Sequence, residues 1–140
     1  MIEKEFAVQL ISKLIELTTQ KKITWVTLPK YFDANNNEPL MKIVIANNQY
    51  AYSPIGAKSS YLINEYKSYC TALNGGLITL FSSQRGKDKH LTMSIQTDPS
   101  HYLQDVYLDS EVEEMLRELL LQLSANIDDG INFIKDILKM

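Results

Sequence analysis

Tyr61-Leu-Ile-Asn-Glu-Tyr-Lys-Ser-Tyr-Cys-Thr-Ala-Leu73 and Leu77-Ile-Thr-Leu-Phe-Ser-Ser83 flank the tripeptide Asn74-Gly75-Gly76. Asn and Gly tolerate the positive φ that a tight primed hairpin turn requires, so two antiparallel strands should meet here. Further on, Gln84 to His90 is a charged connection containing Gly86. Beyond it Leu91, Met93 and Ile95 alternate with Thr92, Ser94 and Gln96 in the period of a half-buried strand. Two successive hairpins make an antiparallel meander. Asp98-Pro99-Ser100 closes it, and Leu103–Leu108 reads as an edge strand or an irregular link.

On the N-terminal side the reading is also of strands. Leu40–Ala46 is apolar on both faces apart from Lys42, as expected of a strand well inside a sheet. Asn47-Asn48 would then turn the chain toward a short strand with Tyr50 and Tyr52 on one side. Asp33–Glu38 reads as a solvated loop on composition, and Ile23–Thr27 as a strand that stops at Pro29.

Helices are expected at both ends. In Glu3–Thr19, Ala7, Leu10, Leu14 and Leu17 recur at spacings of three and four, widened by Phe6, Ile11 and Ile15. Near the C-terminus, Ser110 and Glu113 have the spacing of a capping box, and Asp109, Glu111, Glu113 and Glu114 crowd the first turn. The apolar series Val112, Leu116, Leu119, Leu123 continues in phase as Ile127, Ile131, Ile134 and Leu138. One helix to Lys139 would carry a seam of ~40 Å at ~1.5 Å per residue, more than one domain covers. A break or kink is therefore expected near 124–127, with Asn126 and Gly130 as the breakers. The fold predicted is α+β: an antiparallel sheet of four or five strands packed against the N-terminal helix and one or two C-terminal helices. Residues 1–140 form one domain in this reading, with 1–124 as its core and 125–140 as a helical extension.

Fourteen basic residues against seventeen acidic ones leave a net charge of −3. A general nucleic-acid binder draws its affinity from neutralising phosphates, so direct nucleic-acid binding is not expected. The single cysteine, Cys70, excludes an internal disulfide and a Cys-rich metal site. Apolar runs are far shorter than the ~20 residues that span a bilayer. Met1-Ile2-Glu3-Lys4-Glu5 places two acids where a secretory signal wants positive charge, and a cytoplasmic location is expected.

Residues able to carry chemistry are few. His101 with Asp98 or Asp105 has the composition of an oriented general base, but the sequence supplies neither a nucleophile nor a Gly-x-Ser-x-Gly elbow. His90 lies in a charged connection. Cys70 reads as a small core residue of a strand, without the cationic neighbour that activates a thiolate. Asp128-Asp129-Gly130 lacks the alternating acids of a calcium loop, and no phosphate-cradling glycine motif is present. No catalytic, metal or cofactor site is expected.

Two features point to binding instead. Eight tyrosines include Tyr50, Tyr52, Tyr61, Tyr66 and Tyr69 within twenty residues, with Tyr102 and Tyr107 later. The C-terminal seam is the better handle. Ile127, Ile131, Ile134 and Leu138 would form an exposed apolar patch unless something covers them, so a protein partner or self-association is expected there. An alternative is an inhibitor or immunity-type protein that masks a host or nucleic-acid-binding surface.

The order of helix, Leu17-Thr18, Ile23-x-Trp25, meander with Glu65-Tyr66 before the Gly75-Gly76 turn, and Asp109-Ser110-Glu111-Val112 opening a leucine-rich helix resembles a group of small bacterial and prophage proteins. The likeness covers about residues 1–124. It implies the same α+β plan and a phage-related or genome-defence role. That group has no assigned activity, so no functional residue transfers.

Overall fold

A computed structural model of the chain describes the backbone of residues 1–52, 61–127 and 129–140, and the side chains of residues 1–49, 61–124 and 133–140. The elements in chain order are α1 (Lys4–Thr19), β1 (Val26–Thr27), α2 (Leu28–Ala34), α3 (Glu38–Tyr52), β2 (Leu62–Ile63), β3 (Tyr69–Leu73), β4 (Gly76–Arg85), β5 (Asp88–Gln96), β6 (Gln104–Asp105), α4 (Ser110–Ile127) and α5 (Asp129–Leu138). The strands run β1-β3-β4-β5-β6 across one antiparallel sheet, and β2 pairs with the far end of β4. The fold is α+β as expected. Its sixth strand comes from Tyr61–Leu73, which is not continuous: Asn64 accepts from the Tyr66 amide and bends the chain into a 3-10 turn, Glu65–Lys67.

Both hairpins form. Leu73 pairs with Gly76 around Asn74 at φ 50° and Gly75 at φ 79°, the two positive values that a type I′ turn needs. Gly76 is confined for a different reason. A Cβ there would collide with the backbone carbonyl oxygen of Gln96. The charged connection at 84–90 shrinks to two residues, because Arg85 pairs with Asp88 and Gly86 takes φ 61°.

Strand β4 explains the layering. Leu77-Ile78-Thr79-Leu80-Phe81 is buried throughout, so both faces of the sheet must be covered. Ile78 and Leu80 face α1 and α4, joining Ala7, Ile11, Leu14, Val112, Leu116, Leu119 and Leu123 in one core. Leu77 and Phe81 face α2 and α3, joining Leu28, Tyr31, Leu40 and Val44 in a second core.

The second helical layer corrects the reading of 33–52. Leu40–Ala46 is helical, not a strand. Asn37, also expected in a solvated loop, is fully buried and caps α3: its Oδ1 accepts from the Leu40 amide at 3.2 Å, and its carbonyl accepts from Met41. Pro39 suits the first turn, where no amide is needed. Leu40 and Val44, one turn apart, face the sheet, while Ile43 and Ile45 are exposed. Asn47 and Asn48, expected to turn the chain, stay helical; their side-chain oxygens accept from the Ile63 amide at 3.3 and 3.1 Å. Tyr50 and Tyr52 are also on α3 by backbone, and their side chains lie outside the described residues.

Helix α1 ends with Lys21 at φ 57°, and its last turn is tied to the next segment. Trp25 Nε1 donates to Thr18 Oγ1 at 3.0 Å, and Thr18 in turn donates to the Leu14 carbonyl. The Leu-Thr and Ile-x-Trp segments are therefore one structural unit. Of the expected strand Ile23–Thr27, only Val26–Thr27 pairs.

The cap of α4 is Asp109 rather than the Ser110–Glu113 box. Asp109 Oδ1 accepts from the Val112 amide at 2.8 Å, and Lys4 Nζ reaches Oδ2 at 2.7 Å. An ionised carboxylate that is also held by a lysine outcompetes a hydroxyl for the helix N-terminus. The Lys4 ammonium and then the Val112 amide hold the Asp109 carboxyl below its ordinary range. A depressed acid adds stability above its unfolded value, ~3.9, and that stability is lost as pH falls through the folded value. Asp109→Asn should thus melt below the wild type near neutral pH, with the gap closing in acid. A gap that stays constant down to acid pH in thermal melts would refute the assignment.

Candidate functional site

The C-terminal seam divides. Val112, Leu116, Leu119 and Leu123 of α4 are buried against α1 and the sheet. Past residue 127 the chain begins a second helix, α5, so two helices form; the residue between them, 128, lies outside the described residues. Among the described side chains of α5 the stripe is no longer covered. Phe133, Ile134, Ile137 and Leu138 are 67%, 55%, 48% and 77% exposed. Of the four residues expected to bind a partner, Ile134 and Leu138 are exposed together. Ile127 and Ile131 fall on α4 and α5 by backbone, with side chains outside the described residues.

Phe133 and Ile137 widen the exposed stripe and were missed in sequence. Their spacing of four is the available signal, and the longer in-phase series from Ile127 to Leu138 overshadows it. Leu121 of α4 is also exposed, at 70%, away from the core side of its helix.

His101 and Asp98 share one turn, in which the His101 amide donates to the Asp98 carbonyl at 3.0 Å, while Asp105 stands on β6. His101 Nδ1 lies 3.1 Å from Thr97 Oγ1. Asp98 Oδ1 accepts from the Ser100 hydroxyl at 2.6 Å and amide at 2.9 Å, contacts that hold its carboxyl below the usual carboxylate range. Asp105 Oδ1 accepts instead from Ser94 Oγ at 2.9 Å. Each aspartate is thus engaged by a serine. His90 Nδ1 faces Glu113 at 3.3 Å, and its ring lies 5.4 Å from that of Tyr61, over which Arg85 stacks at 5.1 Å. This cluster joins the β4–β5 hairpin tip to α4.

Cys70 lies in the second core, where burial pushes its thiol up to about 12 and Thr79 Oγ1 lies 3.6 Å from its sulfur. A thiol so placed is inert as a nucleophile near neutral pH. The tyrosines do not form one surface: Tyr69 is buried in the first core, Tyr31 in the second, and Tyr66 and Tyr102 point to solvent.

Concave regions do form among the described residues. A cavity of about 620 Å³ opens between the first turn of α3 and the β5–β6 link, lined by Glu38, Lys42, Asp98, Ser100 and Tyr102. Beneath it Asn37, Gln96 and Tyr31 satisfy one another. A smaller groove of about 230 Å³ lies between α3 and the polar end of the sheet, beside Ile43, Ser94 and Asp105. Among the described residues, every buried side-chain nitrogen and oxygen has a partner, and no group of three His, Cys, Asp or Glu could hold a metal ion. No helix among them is long and apolar enough to cross a membrane.

Fold and surface together define an α+β protein with an antiparallel sheet between helical layers and an uncovered amphipathic helix at its C-terminal end. No protein-family model, curated protein or solved structure gives a significant match to the chain.

Proposed function

We propose that this chain is a small cytoplasmic, non-enzymatic protein-binding protein whose docking element is α5. One observation carries the reading: Phe133, Ile134, Ile137 and Leu138 hold apolar surface in water on a helix with an apolar face. Such a patch on a soluble protein marks an interaction site, and an amphipathic helix binds through residues at i, i+3, i+4 and i+7. Masking of a nucleic-acid-binding surface by acidic mimicry has less support. The acids at the start of α4 are engaged by bases, Asp109 and Glu111 by Lys4, and Glu113 and Glu114 by Arg117.

The test compares the wild-type full chain with the Ile134→Lys, Leu138→Lys double variant as bait in affinity capture from the native cell. A partner held by the wild type and lost by the variant, with both baits melting alike, is the expected result. Equal capture by both would sink the proposal.

A further inference from the structure

Independently of the role of α5, we infer that the cavity between α3 and the β5–β6 link binds the ring of a neutral hexose. At about 620 Å³ it lies within the ~300–1,000 Å³ of small-molecule sites. Its two walls are set before any ligand arrives. Asn37 caps α3 on one side, and Gln96 Nε2 holds the His101 carbonyl of the link at 2.8 Å on the other. The two side-chain amides also bond each other, at 2.8 and 3.2 Å, so one buried pair ties both walls together. Within the link, the Ser100 hydroxyl and amide fix the Asp98 carboxylate, and the rings of Pro39 and Pro99 stiffen the lining. A ligand finds little left to order.

The lining selects the chemistry of the ligand. Its charged residues are Glu38, Asp98 and Lys42, and Glu38 pairs with Lys42 at 3.3 Å. An anion would meet a surplus of acid. An ammonium would meet Asp98 already engaged by Ser100, with Lys42 on the same wall as Glu38. A neutral ligand avoids both conflicts. Donors and acceptors are mixed: ionised Glu38 and Asp98 only accept, Lys42 only donates, and Asn36, Ser100 and Tyr102 can do both. A sugar hydroxyl is itself donor and acceptor, and several around one ring match such a set. Flat apolar surface completes the lining. Tyr102 is 91% exposed and lies beside Pro39 and Pro99 in the same cavity. A single aromatic in water is ordinary by itself. Next to polar groups held in place, its electron-rich face suits the C–H face of a sugar ring. Among the described lining residues Tyr102 is the one aromatic ring, so a nucleobase has no slot between two rings to enter.

Titration of the isotope-labelled full chain with glucose and with galactose, followed by backbone amide shifts, tests the site. Saturable shifts are expected at Glu38, Lys42, Asp98, Ser100 and Tyr102, with a Kd in the millimolar range of a small ligand in an open cavity. Tyr102→Ala should melt like the wild type, since the ring is exposed, and bind the hexose about fivefold more weakly. Asp98→Asn keeps the shape but not the charge of the acceptor and should weaken binding about tenfold. No saturable shift at these amides with either hexose overturns the site, as does equal binding by Tyr102→Ala. Glucosamine or glucuronate binding about tenfold tighter than glucose overturns the neutral class, and adenosine binding tighter than both hexoses overturns the sugar. Cellotriose separates the two sources of such a ring. Binding tighter than glucose assigns the cavity to one unit of a glycan chain, and equal or weaker binding assigns it to a free sugar; both support recognition of the ring. Loss of hexose binding leaves the α5 reading untouched, because capture through Ile134 and Leu138 is measured separately.

Discussion

Leu80→Ala is expected to lower the free energy of unfolding by about 3–4 kcal/mol, in the upper half of the ~2–5 kcal/mol seen for buried leucine truncations. Leu80 is fully buried on the central strand, paired between Tyr69 and Met93, with α1 and α4 packed over it. The loss exceeds the transfer term because the site collapses poorly. Its neighbours on both sides are held by ladder hydrogen bonds, and the helices above rest on many other side chains, so most of the cavity persists. Against a typical stability of ~5–15 kcal/mol this is a large fraction. Leu80→Met, which keeps the volume, should cost less than ~1.5 kcal/mol. Urea unfolding with an unchanged slope is the measurement. A loss under ~1 kcal/mol for the alanine variant would mean that this face of the sheet is loosely packed.

Asn37→Ala should cost nearly as much, about 3 kcal/mol, although it removes no apolar surface. Asn37 Nδ2 donates to Gln96 Oε1 at 2.8 Å and to Tyr31 Oη at 3.0 Å, while its Oδ1 accepts from Gln96 Nε2 at 3.2 Å and from the Leu40 amide. Losing a helix cap costs ~1 kcal/mol. Leaving the buried Gln96 amide with only its bond to the His101 carbonyl, one of three among the described residues, costs ~1–3 kcal/mol more. The second contribution is a penalty on the survivor, so removing the survivor should relieve it. Asn37→Leu with Gln96→Leu is expected to cost at least ~1 kcal/mol less than the sum of the two single changes. Additive losses would show that the amide pair is not coupled across the layers.

These two residues mark the limits of what local pattern reveals. Leu80 belongs to a strand that its flanking turn residues declare, whereas its burial follows from α1 and α4 packing over the sheet. Asn37 stood in a polar run, Asp33–Glu38, with the composition of a surface loop. Its partner Gln96 is 59 residues away, and no local pattern reports a contact at that separation. The same contact decides α3. Ile43-Val44-Ile45 is a β-branched run that suits a strand, and only the buried cap at Asn37 and the sheet face waiting for Leu40 and Val44 make it a helix. The Asp109 cap escapes local pattern for a related reason. Ser110 has the right spacing to Glu113, but Lys4, from the other end of the chain, favours the neighbouring carboxylate.

The proposed docking element was legible as a stripe but not as a surface. By itself the sequence determined the two hairpins, the core-facing helices α1 and α4, and an amphipathic continuation through Ile134 and Leu138. Each of these rests on local periodicity or on turn residues with positive φ. Only the tertiary structure decided that the sheet is covered on both faces, that Asn37 is buried, and that the seam is covered up to Leu123 yet open on α5. The period of a stripe states which side chains share a face; whether that face is covered depends on what lies opposite, and distant segments of the chain supply it.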